Sequence, residues 1–272
     1  MEIPKISLNN GTSIPQLGLG TWLNSKEKEC VDSVKAAVEV GYRHFDTAQI
    51  YENEQYVGSA LNESEISREE LFITTKIWND NLWWEGFDES FKESLKKLQT
   101  DYVDLLLIHF PVTEERRPAW HKMEETYKAG KAKAIGVSNY TVRHLEELLK
   151  EATIKPVVDQ VELHVLLQQP DLVKYCKDND IVIEAYSPLA HGYALDNPVI
   201  AEIAKKHGKN PAQILIRWCI EQGAVPLPKS IHPDRIRENF EVFDFALDNA
   251  DLEQIKSLNR GFRTCWDPTH TP

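Results

Sequence analysis

The stretch from Val103 to Val137, VDLLLIHFPVTEERRPAWHKMEETYKAGKAKAIGV, alternates between two kinds of segment. Residues 103–108 and 132–137 are rich in apolar and β-branched side chains, as buried strands are, and residues 119–129 between them have apolar positions at helical spacing. A strand, a helix and a second strand in this order predict a βαβ unit with parallel strands.

The same alternation continues in both directions along the chain. Strand-like segments recur at residues 43–46, 71–75, 103–108, 132–137, 157–160, 181–186 and 224–227. Segments with helical periodicity lie at residues 26–40, 54–61, 88–98, 119–129, 142–150, 171–178, 199–207 and 211–222. Leu17–Leu19 adds a first strand, which makes eight strand–helix repeats. Eight repeats within about 250 residues predict a (β/α)8 TIM barrel, formed by residues 1–272 as one domain.

Two features near the N-terminus refine this prediction. Lys5–Leu8 and Ser13–Gln16 flank an Asn10-Gly11 pair, which is typical of the tight turn of a β-hairpin. A doubly wound parallel sheet is the structural alternative. It is less favoured because Gly18-Leu19-Gly20 lacks the third glycine of a dinucleotide-binding loop.

Composition argues against several functions. The 272 residues include 31 Lys and Arg against 43 Asp and Glu, a formal net charge of −12. Nucleic acid and anionic membrane surfaces are therefore poor partners, because phosphate neutralisation needs clustered cations. No apolar run approaches the roughly 18 residues that span a bilayer, and the N-terminus lacks the pattern of a secretion signal, so we expect a cytoplasmic protein.

The cysteines and histidines do not indicate a metal site. Cys30, Cys176, Cys219 and Cys265 are widely separated and form no C-x-x-C pair, and the nine histidines have no metal-binding spacing. We therefore expect free thiols and no metal. No long apolar helix face requires a partner, so the expected state is a monomer.

Polar side chains follow several predicted strands, at the end of a barrel where active sites lie. Asp46 ends the second strand, Tyr51 follows five residues later, Lys76 ends the third strand and His109 the fourth. These four groups suggest proton transfer to a carbonyl. The Lys76 ammonium would lower the pKa of Tyr51, and Asp46 would balance the charge of Lys76. His109 would orient the substrate oxygen or share the proton transfer.

A second polar group follows the eighth strand, where barrels often bind phosphate. Lys229, Ser230 and Arg235 offer an ammonium, a hydroxyl and a guanidinium group, and Pro233 marks a helix start with free backbone N–H groups. This segment predicts a small phosphate site on an acidic protein. A charged surface helix is the alternative interpretation of the same residues.

Three motifs resemble those of the aldo-keto reductase family, and the resemblance covers almost the whole chain. They are residues 41–48, GYRHFDTA, continuing through Tyr51, Asn53 and Glu54; residues 135–139, IGVSN; and residues 228–230, PKS, with Arg235, Glu238 and Asn239. Thr75-Lys76 and Leu107–His109 match as well. The overall pattern is similar to the short-loop type that includes prostaglandin F synthase and 2,5-diketo-gluconate reductase.

The resemblance implies a barrel that binds NADPH and reduces small aldehydes, ketones or dicarbonyl compounds. It implies that Tyr51 is the general acid, that Asp46 and Lys76 tune it, and that His109 places the carbonyl group. The implied cofactor contacts are Gly20, Thr21, Trp22, Asp46, Ser138, Asn139, Gln160, Tyr186, Ser187, Leu189, Lys229, Ser230, Arg235, Glu238 and Asn239. Within this set, Tyr186 would stack on the nicotinamide, and Lys229, Ser230 and Arg235 would hold the 2′-phosphate.

The substrate pocket is expected to be open and weakly selective. Its implied contacts are Trp22, Trp78, His109 and Phe110, with His191 and Trp266 as further candidates. Residues 111–118 and the tail after Leu258, whose counterparts wall the pocket in relatives with bulky substrates, are short. The Trp83-Trp84 pair would either join the pocket or pack on the barrel.

Two functions other than reduction stay open at this point. One is an NADPH-binding sensor or regulatory subunit that has the same barrel but little turnover. The presence of all four proton-transfer groups argues against it, because a pure binding protein does not need them. The other is a barrel enzyme of unrelated chemistry, such as an isomerase or aldolase that uses Lys76.

Overall fold

Eight parallel strands pair in chain order around the centre of the protein. The computed structural model describes residues 3–272, without the side chains of residues 84 and 85. An antiparallel hairpin precedes the barrel and consists of β1 Lys5–Ser7 and β2 Ser13–Pro15. The barrel strands are β3 Leu19–Gly20, β4 His44–Asp46, β5 Phe72–Ile77, β6 Leu105–Ile108, β7 Ile135–Ser138, β8 Val158–Glu162, β9 Val182–Tyr186 and β10 Val225–Leu227.

Two backbone hydrogen bonds close the sheet between its first and last strands. Gly18 N donates to Pro226 O at 3.1 Å, and Gly20 N donates to Pro228 O at 3.1 Å. A Cβ atom on Gly20 would lie 2.9 Å from Leu227 O, so only glycine permits this approach of the two strands. The predicted barrel and hairpin are confirmed, and the doubly wound alternative is wrong.

Ten α-helices of the described residues surround the barrel. They are α1 Glu27–Val40, α2 Glu54–Asn62, α3 Trp84–Lys97, α4 Arg116–Lys128, α5 Val142–Leu149, α6 Pro170–Asp178, α7 Pro198–His207, α8 Pro211–Glu221, α9 Pro233–Phe240 and α10 Asn249–Lys256. Helices α7 and α8 both lie between β9 and β10, so the eight predicted helical segments do not divide one to each strand. Among the described residues no helix is long and apolar enough to cross a membrane.

Sequence signals at the helix starts explain where several helices begin. Proline occupies the first turn of α6, α7, α8 and α9, where its missing N–H costs nothing. Asn210 caps α8 by accepting from Gln213 N at 2.9 Å, and the Gln213 side chain accepts from Asn210 N at 3.0 Å. These caps fix the connection that leads into β10.

The apolar core has two parts. The larger part lies between the sheet and the surrounding helices. The smaller part fills the barrel interior with strand residues such as Leu105, Leu107 and Val225, and Leu8 and Ile14 of the hairpin region pack against it. The opposite rim, where the strands end, is left for polar side chains.

Candidate active site

The strand ends bring the four predicted catalytic side chains together. Asp46 ends β4, Lys76 lies one residue before the end of β5, and His109 directly follows β6. Tyr51 comes from a 3₁₀ turn, Gln49–Tyr51, which follows β4. Because parallel barrel strands all end at the same rim, residues distant in sequence meet there.

The Lys76 ammonium group forms a buried ion pair with Asp46. Its Nζ atom lies 2.7 and 2.8 Å from the two Asp46 carboxylate oxygens and 2.9 Å from Thr47 O. The same nitrogen donates a longer hydrogen bond, 3.3 Å, to the Tyr51 hydroxyl oxygen. Burial raises the pKa of Asp46, while Lys76 and Gln160 oppose that rise by favouring the carboxylate. The two charges therefore neutralise each other inside the barrel.

The expected direction of the Tyr51 pKa is wrong. Burial raises the pKa of Tyr51 well above its ordinary value, and the nearby carboxyl groups of Asp46 and Glu184 raise it further. Lys76 does not reverse this effect because Asp46 already balances its charge. The Tyr51 hydroxyl thus stays protonated, and no group in the described part of the chain accepts its proton. The O–H bond is therefore free to point into the cavity that Tyr51 lines.

His109 presents a neutral imidazole ring to the same cavity. Burial, together with the charge of Lys76, lowers the pKa of His109 well below its ordinary value. Its ring lies edge-on to Tyr51, with 5.7 Å between centroids, and edge-on to Trp78 at 5.2 Å. Its Nδ1 atom is buried without a hydrogen-bond partner among the described residues, so Nε2 is the ring nitrogen that faces the cavity. A neutral ring protonated at Nε2 can donate to a substrate oxygen.

Side chains from the next three strands form a hydrogen-bonded floor. Ser138 Oγ donates to Gln160 O at 2.7 Å, and Asn139 Nδ2 donates to His109 O at 2.9 Å. The Tyr186 hydroxyl donates to Asn139 Oδ1 at 2.7 Å. These bonds hold the amide of Asn139 and the ring of Tyr186 in fixed orientations along the cavity.

Gln160 connects this floor to two carboxyl groups. Its Nε2 atom donates to Asp46 Oδ2 at 2.8 Å and to Glu184 Oε2 at 3.0 Å. Its amide oxygen makes no hydrogen bond within the described residues, and Gln160 lines the cavity. The amide is therefore oriented with its nitrogen toward the barrel interior and its oxygen toward the cavity.

A cavity of about 630 Å³ joins these groups with the residues that follow β9 and β10. The predicted site residues that line it are Gly20, Trp22, Asp46, Tyr51, His109, Ser138, Asn139, Gln160, Tyr186, Ser187, Leu189, His191, Lys229 and Trp266. The predicted site residues that do not line it are Thr21, Lys76, Trp78, Phe110, Ser230, Arg235, Glu238 and Asn239. Among these, Thr21 is buried and donates to Asp46 O at 2.9 Å, which places it behind the cavity wall.

The C-terminal tail lines one side of the cavity. Thr264, Cys265 and Trp266 line the cavity. The buried Glu162 carboxylate, at the end of β8, accepts from the backbone N–H of Thr264 at 2.7 Å, from its hydroxyl at 2.6 Å and from Cys265 N at 3.3 Å. Trp266, which follows, packs against Trp78 with 5.5 Å between ring centroids. A short tail forms this wall because Glu162 fixes its position.

Of the other aromatic residues predicted near the substrate pocket, Phe110 and His191 pack against tryptophan rings, whereas Trp83 is exposed. Phe110 packs edge-on against Trp266 at 6.4 Å, and His191 packs edge-on against Trp22 at 5.4 Å. Trp83 is 52% exposed and does not line the cavity. The Trp84 side chain lies outside the described residues.

The segment after β10 carries an arginine without a partner. Arg235, in the first turn of α9, is exposed and forms no ion pair or hydrogen bond with the described residues. Lys229 lines the cavity, and burial lowers its pKa. The Ser230 hydroxyl accepts from His232 N at 3.1 Å, so it stabilises the turn before α9. Two cations are thus available beside one helix N-terminus.

The two remaining predicted residues lie on the same helix. The Glu238 carboxylate accepts from Asn210 Nδ2 at 3.0 Å, which ties α9 to the start of α8. Asn239 is buried, and its amide makes no hydrogen bond within the described residues. Asn239 is therefore the residue of this pair whose polar group is still available to a ligand.

Among the polar groups in and around the site, sequence reasoning missed Glu162, Glu184, Thr264 and Cys265, and among the apolar or glycine lining residues it missed Leu23, Gly192, Leu195 and Leu227. The strand period would have found the first two, because Glu162 and Glu184 lie two residues from Gln160 and Tyr186 and share their faces of β8 and β9. Nothing local in the sequence indicates that Thr264 and Cys265 reach Glu162, since about a hundred residues separate them.

The polar groups along the cavity fit a nicotinamide cofactor in an extended pose. Near Tyr51, the Gln160 amide oxygen and the Tyr186 ring offer an acceptor and a flat surface. Lys229 lines the cavity as well and offers positive charge, while Arg235 and Asn239, which do not line it, lie on α9 in the segment after β10. An acceptor, a flat ring and a cation along one cavity suit the carboxamide, the ring and a phosphate of such a cofactor.

The fold and site together define a (β/α)8 barrel with proton-transfer groups at the carboxyl ends of its strands. Residues 16–260 match the family model described as the Aldo/keto reductase family. The chain belongs to this family, whose members are oxidoreductases that act on carbonyl groups and generally use a nicotinamide cofactor.

Named relatives resemble the chain over nearly its full length. It is 48% identical over 263 residues to glyoxal reductase of Bacillus subtilis, covering 97% of this chain and 95% of that protein. It is 47% identical over 267 residues to methylglyoxal reductase of Escherichia coli strain K12, covering 97% and 96%. A crystal structure of an aldo-keto reductase from a Medee basin deep-sea metagenome library matches with a TM-score of 0.94 at 46% identity, covering 98% of this chain and 99% of that one.

Proposed function

We propose that this protein is an NADPH-dependent reductase of small aldehydes and ketones in which Tyr51 donates the proton. The observation that carries the proposal is the Tyr51 hydroxyl: it is protonated, lacks an acceptor among the described residues and lines the cavity next to His109. A half-buried phenol in that position has a substrate oxygen as its natural acceptor.

Several groups would hold the nicotinamide end of the cofactor. The Gln160 amide oxygen would accept from the carboxamide, and Ser138 and Asn139 would contact the same group. Tyr186, fixed by its bond to Asn139, would stack on the ring. When bound, the cofactor supplies the hydride; the protein residues orient the ring and the carbonyl carbon toward each other.

The carbonyl oxygen of the substrate would face Tyr51 and His109, and the proton would come from Tyr51. Both groups would donate to the carbonyl oxygen, His109 through Nε2 and Tyr51 through its hydroxyl. As negative charge develops on this oxygen, two donors already in position stabilise it without rearrangement. The Lys76 ammonium, 3.3 Å from the Tyr51 oxygen, would then stabilise the phenolate left after proton transfer.

The preference for NADPH over NADH rests on the basic residues near α9. Arg235 is exposed, unpaired within the described chain and located in the first turn of that helix. A 2′-phosphate there would meet a guanidinium group, the Lys229 ammonium and the positive end of a helix dipole. The net charge of −12 does not prevent this, because such contacts act within about 8 Å at physiological salt.

We propose 2-oxoaldehydes, such as glyoxal and methylglyoxal, as substrates. The cavity of about 630 Å³ must hold the nicotinamide and part of its ribose as well as the substrate, which leaves room for a small carbonyl compound. The tail residue Trp266 bounds that room on its outer side. The names of the Bacillus and Escherichia relatives point to the same substrate class.

The direct test measures NADPH oxidation at 340 nm by purified protein with glyoxal, methylglyoxal and a series of larger aldehydes and ketones. We expect turnover with the small dicarbonyl compounds and a much lower rate with NADH. A tight NADPH complex that is inert toward the whole series would instead indicate a binding protein. Failure to bind NADPH at all would indicate unrelated barrel chemistry.

A further inference from the structure

Glu184 is a buried carboxyl group directly beneath the proposed catalytic residues. It is fully buried on β9, and its Oε2 atom accepts from Gln160 Nε2 at 3.0 Å. The same nitrogen donates to Asp46 Oδ2 at 2.8 Å, so one amide group joins the two carboxyl groups. None of the proposed contacts to substrate or cofactor involves Glu184.

Within the described part of the chain, Glu184 has no cation of its own as a counter-ion. Its neighbours with ionisable side chains among the described residues are Asp46, Lys76, His44 and Tyr51, and the other strands contribute apolar residues to the barrel interior. Asp46 already accepts two hydrogen bonds from the Lys76 ammonium, whose other acceptors are the Thr47 carbonyl and the Tyr51 hydroxyl oxygen. A second negative charge here would be buried and unpaired, which is the most costly state for a carboxyl group.

His44 does not supply the missing positive charge. Its Nε2 atom lies 3.4 Å from Glu184 Oε1 and 3.2 Å from Thr74 Oγ1. Burial lowers the pKa of His44 to about 3, so the ring is neutral at physiological pH. Burial disfavours the charged form of Glu184 too, and together with the charge of Asp46 it raises the pKa of this carboxyl group to about 8. Oε2 accepts from Gln160, and Oε1 is buried without a hydrogen-bond partner among the described residues. A carboxyl group in these surroundings avoids an unpaired buried charge by keeping its proton.

We propose that Glu184 is a positioning residue that is neutral in the active enzyme, and that its ionisation weakens Tyr51 as a proton donor. The neutral carboxyl group orients the Gln160 amide and keeps the Asp46–Lys76–Glu184 group at zero net charge. Loss of its proton to solvent would place a second negative charge behind Tyr51, which makes phenol ionisation harder. The inference rests on the proposed role of Tyr51 in carbonyl reduction.

The first measurement compares the pH dependence of kcat/KM for methylglyoxal reduction in wild-type protein and in Glu184→Gln. Wild type should lose activity with an apparent pKa of about 8, while Glu184→Gln, which cannot ionise, should retain activity to higher pH. Glu184→Asp, which keeps an ionisable group, should retain an alkaline decline. An identical decline in wild type and Glu184→Gln would overturn the proposal, while turnover itself would leave the proposed function standing.

The second measurement detects the proton directly and does not depend on turnover. Infrared difference spectra at pH 7 should contain a protonated carboxyl C=O band that disappears in Glu184→Gln and, in wild type, between pH 7 and 9.5. Asp159→Asn is the matched control. Asp159 is another buried carboxyl group whose pKa burial raises, but it lies on the outward face of β8, so its substitution should leave the pH profile of kcat/KM in place. Absence of a band sensitive to Glu184→Gln at pH 7 would overturn the proposal even if the protein reduces no substrate.

Discussion

The Lys76 ammonium nitrogen donates a 3.3 Å hydrogen bond to the Tyr51 hydroxyl oxygen, while its shorter contacts, 2.7 to 2.9 Å, go to Asp46 and Thr47. Lys76 could act on Tyr51 in two ways: by ionising the phenol before the reaction, or by stabilising the phenolate after proton transfer. Lys76 does not ionise Tyr51 in advance, because Asp46 balances its charge. It is instead located where it can stabilise a phenolate once the proton has left.

Substitution of Lys76 should therefore slow the proton-transfer step and leave cofactor binding nearly intact. Lys76→Met removes the ammonium and leaves Asp46 unpaired, and we expect kcat to fall by at least about 100-fold. Asp46→Asn, which frees Lys76 from its counter-ion, should also lower kcat. Stopped-flow measurement of NADPH oxidation, with fluorescence titration of NADPH, checks both. A Lys76→Met variant with near wild-type kcat would contradict the role of the ion pair.

Arg235 should distinguish the two nicotinamide cofactors. Because charged hydrogen bonds contribute about 1.5–3 kcal/mol, Arg235→Ala should raise the Kd for NADPH about 10- to 100-fold. The Kd for NADH should change by less than about threefold, since NADH lacks the 2′-phosphate. Arg117→Ala removes the same charge from an arginine that pairs with Glu151 and does not line the cavity, and it serves as the control. Equal losses for both cofactors would show that Arg235 does not contact the phosphate.

Trp266 should affect the substrate and not the cofactor. Its ring bounds the cavity and packs on Trp78, so Trp266→Ala should raise KM for methylglyoxal about 3- to 10-fold through lost aromatic contacts. For larger aldehydes, KM should rise less than for methylglyoxal, or should fall. Trp83→Ala, which removes an exposed tryptophan outside the cavity, should leave the KM series unchanged. A uniform change across substrates of all sizes would argue against Trp266 as a pocket wall.

His44 should make the fold acid-sensitive. Its pKa is about 3 in the folded protein and near 6.5 when unfolded, so the unfolded state binds an extra proton between these values. Stability should therefore decline as pH falls from about 6.5 toward 3, by about 1.4 kcal/mol per pH unit from this group alone. His44→Gln should remove that share of the slope, and His121→Gln, at an exposed position, should not. Urea unfolding at pH 7, 6 and 5 measures the slopes, and an unchanged slope in His44→Gln would contradict the assignment.

The barrel could be predicted because its signals are local. Apolar segments such as Leu105–Ile108, between turns and helices of regular spacing, indicate parallel strands without knowledge of their neighbours. The site residues were found for a related reason: a barrel directs the ends of all its strands to one rim, so Asp46, Lys76 and His109 could be grouped from their positions alone.

The features that escaped prediction depend on distant pairs. Glu162 holds Thr264 and Cys265 across about a hundred residues, and this contact converts a short tail into a wall of the cavity. The direction of the Tyr51 pKa depends on burial and on the Asp46–Lys76 pairing, which spacing does not reveal. Such effects follow from the three-dimensional charge distribution and from burial, which a linear pattern does not contain.

Tyr51 is proposed to donate the proton to a carbonyl oxygen, and Tyr51→Phe removes that proton. The substitution removes one oxygen atom and keeps the ring, so NADPH should bind with a Kd within about twofold of wild type. The rate of NADPH oxidation with methylglyoxal in a single turnover should fall by roughly 1,000-fold, the size expected for loss of a general acid. A variant that binds NADPH and still reduces methylglyoxal at a rate close to wild type would contradict the account.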